Sequence, residues 1–267
     1  MSAREWEFSP LAFKVLWRAA ERDTLPYPLQ YRSTFATVSE YEAAWKAEAD
    51  DLHRIFDEEL YGAMRVLAEP EARIEVAGEV GGDRLRAHAA VHNRHAVLLV
   101  QEPTGSPYRG GAVRMTMFDA EYLPRRLVTV FPDAPRGSGA GLRVSRREVE
   151  IAEANGASAT NQLGAVSGNG NGDGGRSAHA LAAQFFDRPR DLVVHVAVYP
   201  GPSWDQRPAP ARGFHVMDYP DGRYLVRSDG DLLEAEPVDR SGLGFDLERV
   251  IRFAVAGHRE EHDPSYH

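Results

Sequence analysis

Phe185-Phe-Asp-Arg-Pro-Arg-Asp-Leu-Val-Val-His-Val-Ala-Val-Tyr199 reads as the end of a helix, a proline stop and then a strand. A cruder copy stands earlier in the chain, Val66-Leu-Ala-Glu-Pro-Glu-Ala-Arg-Ile-Glu-Val-Ala77, with Pro189 over Pro70, Phe186 over Leu67 and Val193 over Ile74. Proline is rejected by a helix interior and pushes its predecessor out of the αR region, so each junction forces the same transition. Two copies are too few for a solenoid, and the echo points to a duplicated domain.

The predicted elements on either side of these junctions repeat one another. In the first half, a helix over 58–68 precedes strand-like runs at 72–79, 84–92, 95–101 and 111–118, and residues 119–130 return to helical spacing. Gly81-Gly-Asp83 joins the first two runs as a hairpin signal, and Asn93-Arg94 turns the next pair. In the second half, a helix at 177–187 with Ala178, Leu181, Ala182, Phe185 and Phe186 inward precedes strands at 191–199, 212–219, 223–228 and 231–237. Tyr219-Pro-Asp-Gly-Arg223 marks a tight turn. A helix over about 246–256 closes this half, with Leu247, Val250, Ile251 and Ala254 inward and Gly257 as its stop. The expected fold is α+β, two pseudo-symmetric lobes, each an antiparallel sheet flanked by helices.

Two further helices stand in front of the first lobe. Ser9-Pro10 has the form of an N-cap followed by proline at the first helical position, opening a helix over 10–21. Leu29 to Ser33 is expected to add a short edge strand. Ser39-Glu-Tyr-Glu42 fits a capping box and starts a helix to about residue 57, with Tyr41, Ala44, Trp45, Ala49, Leu52, Ile55 and Phe56 at helical spacing. Leu142 to Val149 is read as a charged strand. Residues 152–176, rich in glycine, asparagine and serine, cannot bury enough apolar surface to offset chain entropy and are read as a flexible linker. The expected division is therefore an N-terminal lobe over 1–151, the linker, and a C-terminal lobe over 177–267.

Bulk composition narrows the function. The chain has 267 residues, 43% hydrophobic and 27% charged, which is ordinary for a globular protein. No apolar run approaches the ~18 residues of a membrane span, and the first residues lack a secretory leader pattern, so membrane insertion and export are not expected. The absence of cysteine removes disulfides, thiolate catalysis and cysteine zinc sites, and fits a reducing cytosol. A net charge of −9 argues against a nucleic-acid groove, which wants a basic face.

Candidate catalytic patterns are sparse. His258-Arg-Glu-Glu-His262 matches the inverted zinc-hydrolase motif H-x-x-E-H, with Glu261 as the base, but it sits beyond the expected helix stop with no later segment to offer a third ligand. A solvated tail is the plainer reading. His88 and His92 lie on one strand face but roughly 13 Å apart, too far to share an ion, and with His95 they read as part of a polar sheet face. Gly137-Ser-Gly-Ala-Gly141 precedes a strand, whereas a phosphate loop leads into a helix, so it is read as an ordinary loop. No acid, base and anion stabiliser assemble, which favours a binding protein over an enzyme, with no metal and no cofactor expected.

Taken together, several stretches resemble the EspG family of chaperones associated with type VII (ESX) secretion in actinobacteria. They are the opening helix running into Leu25-Pro26, the acidic helix at Ser39-Glu-Tyr-Glu42, and Leu67-Ala-Glu-Pro-Glu71 before the first strand. The pair Arg84 to His92 and Ala96 to Gln101 follows, then Phe131-Pro-Asp-Ala-Pro-Arg-Gly-Ser-Gly139, Phe185 to Arg190 and Asp221 to Ser228. The resemblance implies a cytoplasmic chaperone that binds PPE-type (PE/PPE) or similar helical secretion substrates and shields their hydrophobic tip before export. ATP is not implied. For the contact surface, Phe214, Val216, Tyr224, Val226 and Arg227 form an apolar group beside a cation and are the candidate partner-binding residues; alternatively the first four face helices of their own lobe. Two rival functions are a zinc-dependent hydrolase using His258 and His262, and a toxin-neutralising immunity protein that caps a basic toxin with an acidic surface.

Overall fold

The computed structural model describes residues 3–150, 173–202 and 212–262, with backbone alone for 173–177. In chain order the elements are β1 (Arg4–Phe8), α1 (Pro10–Ala19), α2 (Val38–Ile55), α3 (Glu58–Ala68), β2 (Ala72–Val80), β3 (Asp83–His92), β4 (His95–Gln101) and β5 (Val113–Asp119). A 3₁₀ turn, Ala120–Tyr122, runs into α4 (Leu123–Val128), followed by β6 (Leu142–Ser145) and α5 (Asp173–Phe186). The chain closes with β7 (Leu192–Pro200), β8 (Arg212–Tyr219), β9 (Gly222–Asp229), β10 (Leu232–Pro237) and α6 (Arg240–Glu261). This is a mixed α+β fold built on antiparallel sheet flanked by helices. Both helix–proline–strand junctions form: α3 ends before Pro70 and β2, and α5 ends before Pro189 and β7.

The described residues within 1–133, 194–213 and 241–267 form one compact unit, and those within 134–193 and 214–240 form a second. In the first unit the strand order is β1-β5-β4-β3-β2-β7. The β2–β3 hairpin closes with Val80 opposite Asp83, and its turn residues Gly81 and Gly82 take φ of 56° and 89°, values that a Cβ disfavours. Phe13, Leu60, Ala90, Leu99 and Met115 meet in a core between the sheet and α1 and α3. Ser9 caps α1 by accepting from the Ala12 N–H at 2.9 Å.

In the second unit β8, β9, β10 and β6 pair antiparallel in that order. Helix α5 places Ala178, Ala182 and Phe185 against Met217, Tyr219, Tyr224 and Val226. Arg223, 1% exposed, is held by Asp218 through two 2.7 Å hydrogen bonds from Nε and Nη2. The Arg188 guanidinium lies over the Tyr219 ring at 3.9 Å and the Phe185 ring at 4.8 Å. The glycine-rich loop before β6 packs on Tyr224: its hydroxyl donates to Asp221 at 2.5 Å and accepts the Gly139 N–H at 2.8 Å. A Cβ on Gly137 would stand 2.4 Å from ring carbons of Tyr224, so only glycine fits there.

Several local expectations are corrected. The edge strand is Arg4–Phe8, paired with β5, and not Leu29–Ser33. The backbone of Gln30 is satisfied instead by the buried Gln101 amide, which accepts from the Gln30 N–H and donates to its carbonyl, both at 2.8 Å. The capping box of α2 is Thr37 with Glu40, two residues ahead of Ser39 and Glu42; both pairs satisfy the spacing, and the loop geometry selects the first. Ile55 and Phe56 are half exposed, as is Leu181. Strand β6 stops at Ser145, whose hydroxyl accepts the Glu148 N–H, and residues 146–150 are helical. Helix α5 begins at Asp173, inside the stretch read as linker; residues 151–172 lie outside the described residues. His88 is buried, because both faces of β3 are covered along most of its length. The last helix starts at Arg240 and runs to Glu261 without stopping at Gly257, which has no positive φ and so makes no αL cap.

Candidate interaction surface

The residues selected from sequence divide between core and rim. Phe214, Val216, Tyr224 and Val226 are 0–5% exposed, and Tyr224 and Val226 belong to the core under α5. Arg227 reaches solvent and pairs with Glu236 at 3.1 Å. A partner touching Tyr224 or Val226 would have to open the core under α5.

The H-x-x-E-H segment, expected as a solvated tail, continues α6 through Glu261. Its two imidazoles are adjacent, with ring centroids 4.2 Å apart. Burial first, then the neighbouring His262, holds the His258 pKa below its ordinary value. The residue between them does structural work. Arg259 donates from Nε and Nη2 to both oxygens of Glu71, each at 2.8 Å, tying the end of α6 to the start of β2. The hydrogen bond from Arg259 holds the Glu71 carboxyl below the usual carboxylate range. Among the described residues no group of three or more His, Asp or Glu side chains is arranged to hold a metal ion.

The surface with unspent apolar area lies on α6. Its inner face is Leu243, Leu247, Val250, Ile251 and Ala254, all buried, and the helical period therefore turns Phe245, Arg249, Arg252, Phe253 and Ala256 outward. Phe245 is 66% exposed and Phe253 53%. At 1.5 Å per residue the two rings sit about 12 Å apart along the helix, with Arg249 and Arg252 between them. Arg212, at the start of β8, places its guanidinium 3.5 Å from the centre of the Phe253 ring. Around this contact is a shallow cavity of about 310 Å³, lined by Arg212, Arg249, Val250, Arg252, Phe253 and Ala256.

Charge sets this patch apart. The whole chain carries −9, yet three arginines converge here. Arg249 pairs with Asp246 at 3.1 Å while half of its side chain remains exposed, and Glu248 borders the stripe. Arg252 and Arg212 make no ion pair with any other described residue. Exposed aromatics beside guanidinium groups are the composition of protein interfaces, where arginine and aromatic residues are enriched and lysine is depleted. The signal was partly legible: once Leu247, Val250, Ile251 and Ala254 are assigned inward, the outward position of Phe253 follows from the helical period. Phe245, by contrast, precedes the expected start of the helix and joins the stripe because α6 begins at Arg240.

Comparison with known proteins bears on this architecture. Among solved structures, the type VII secretion system chaperone EspG5 of Mycobacterium tuberculosis, determined in complex with a PE25–PPE41 dimer, superposes with a TM-score of 0.60 at 12% identity. The match covers 93% of this chain and 96% of that one. At that identity the likeness speaks for the fold alone. Among curated proteins no match is found. The family model described as the EspG family matches residues 9–249, from the cap of α1 into α6, and the chain therefore belongs to the EspG family.

Proposed function

We propose that this protein is a chaperone of type VII secretion that holds a PPE-type or similar helical client soluble in the cytosol before export. The observation that carries the reading is membership of the EspG family across residues 9–249. The likeness in fold to a chaperone solved with a PE25–PPE41 dimer supports a client of that kind. The exposed Phe245–Phe253 stripe of α6 is where the client lies: it offers apolar area with cations at its margin, and covering it needs no opening of either core. Such a holder works by binding alone, so neither metal nor nucleotide enters its action. No helix among the described residues is long and apolar enough to cross a membrane.

The test is co-expression with a PE–PPE pair encoded in the same genome, followed by size-exclusion chromatography. The chaperone should co-elute with the pair and raise its soluble yield severalfold. Soluble, unaccompanied PPE protein, with the chaperone eluting separately, would overturn the reading.

A further inference from the structure

Between the loop that follows α1 and the face of β2 and β3, the first unit holds a cavity of about 390 Å³. Its floor is polar: Glu75 and His88 are cross-strand partners, and Arg73 lies two residues before Glu75 on the same face. Trp17, Leu25 and Leu67 wall it, and Glu21 and Asp23 stand at the rim.

Two nitrogens of Arg73 and the Nδ1 of His88 are engaged within the fold. Arg73 donates from Nη1 to the Gly201 carbonyl at 2.9 Å, and its guanidinium lies 4.2 Å over the Tyr199 ring. Its Nε reaches Glu75 only at 3.4 Å. His88 Nδ1 stands 2.8 Å from the Tyr27 carbonyl oxygen, and a carbonyl only accepts, so the proton is on Nδ1. Nε2 is then a lone-pair acceptor. Burial brings the His88 pKa down to about 4, which keeps the ring in this neutral form.

The floor's acceptors are left under-used. Among the described residues no donor is in hydrogen-bond reach of His88 Nε2, and Arg73 is the lone hydrogen-bond donor to the Glu75 carboxyl. Burial pushes the Glu75 pKa up, as expected for a carboxylate short of partners. Both acceptors face the cavity, Glu75 with about 15% of its side chain exposed, so a donor entering the cavity can reach them.

We propose that this cavity is a binding site for a primary amine or guanidine carried on a short apolar stem. The cationic head donates to Glu75 and to His88 Nε2, and the stem lies against Trp17, Leu25 and Leu67. The rim is mixed in charge, with Glu21 beside Arg22 and with Asp23 paired to Arg18, so the selectivity for a cation comes from the acceptors of the floor. The site is separate from the α6 stripe and stands whether or not the chain acts as a secretion chaperone.

The test uses the full chain with benzylamine and agmatine as free amines, acetyl-arginine-amide as a stand-in for a partner's side chain, and benzyl alcohol as the uncharged isostere. Thermal melting and calorimetric titration should show binding of at least one cation and not of the alcohol. Saturation by a free amine identifies a small-molecule ligand; binding of acetyl-arginine-amide alone identifies a side chain. Glu75→Gln should weaken the binding about tenfold or more, because it removes a charge-assisted hydrogen bond. In the wild-type chain the Trp17 indole N–H resonance should shift on addition of the same cation and not of benzyl alcohol, a readout that does not depend on the variant folding. No binding by any of the three cations, equal binding by benzyl alcohol, or unchanged affinity in a folded Glu75→Gln variant would overturn the proposal.

Discussion

Replacing both Phe245 and Phe253 with alanine tests the α6 stripe most directly, because the same change should abolish one property and spare another. A fully covered phenylalanine buries roughly 200 Å², so exposures of 66% and 53% leave about 240 Å² for a partner to cover. At about 25 cal/mol per Å² this is worth at most about 6 kcal/mol on binding. Alanine retains part of that area and the client's ordering takes another part, so about 3 kcal/mol should be lost, roughly a hundredfold in Kd. Stability should hardly change. Neither ring is among the buried core residues, and the loss of the Arg212 cation over Phe253 is worth about 0.5–1 kcal/mol at an exposed site. The assay is a titration of the purified PE–PPE pair against wild type and double variant, with a chemical melt of each. Unaltered affinity in a normally folded double variant would refute the placement of the client on α6. Lost affinity accompanied by a collapsed melting transition would refute the premise that these rings are surplus to the fold.

Three further outcomes follow from groups inside the two units. Arg223→Met should cost about 3–5 kcal/mol in guanidinium denaturation because it strands the Asp218 carboxylate, whereas Arg223→Met with Asp218→Leu should recover most of that loss; single and double variants of equal stability would sink the idea. Gly137→Ala should destabilise by about 1–3 kcal/mol, since its Cβ must displace the Tyr224 ring, and a wild-type melting temperature would contradict that contact. His88 makes acid destabilising. Its pKa of about 4 when folded lies below the ordinary 6.5, so the unfolded chain binds the extra proton first. The stability from the neutral ring is complete above about pH 6.5 and falls by roughly 3 kcal/mol as pH drops to about 4. Glu75, raised by burial, opposes this in its own range, so the decisive comparison is with His88→Gln, in which that slope between pH 6.5 and 4 should flatten.

The helix–proline–strand junctions were readable because proline acts locally: it needs no tertiary partner to end a helix. The hairpins at Gly81-Gly82 and Pro220-Asp221-Gly222 were readable for the same reason. Periodicity located α1, α3 and most strands to within a few residues. The failures have a common cause. Thr37 and Ser39 both head a valid capping box, and only the path of the preceding loop chooses between them. Leu29 to Ser33 has strand-like residues, yet the Gln101 amide takes the backbone groups a neighbouring strand would have needed. Gly257 looked like a stop because glycine is common there, but the Arg259–Glu71 pair holds the helix beyond it. For the candidate contact residues, alternation shows that Phe214, Val216, Tyr224 and Val226 are apolar, not how deeply the folded chain buries them.

By itself the sequence determined the repeated helix–proline–strand plan, the antiparallel strands and the inner face of the last helix. These depend on backbone preference and on the spacing of apolar residues along a few turns of chain. Tertiary structure alone decided which apolar residues remained exposed, which acceptors face a cavity without a protein donor, and that α6 continues through Arg259. Those outcomes depend on partners distant in sequence, such as Glu71 for Arg259 and Tyr27 for His88, and no local period encodes them.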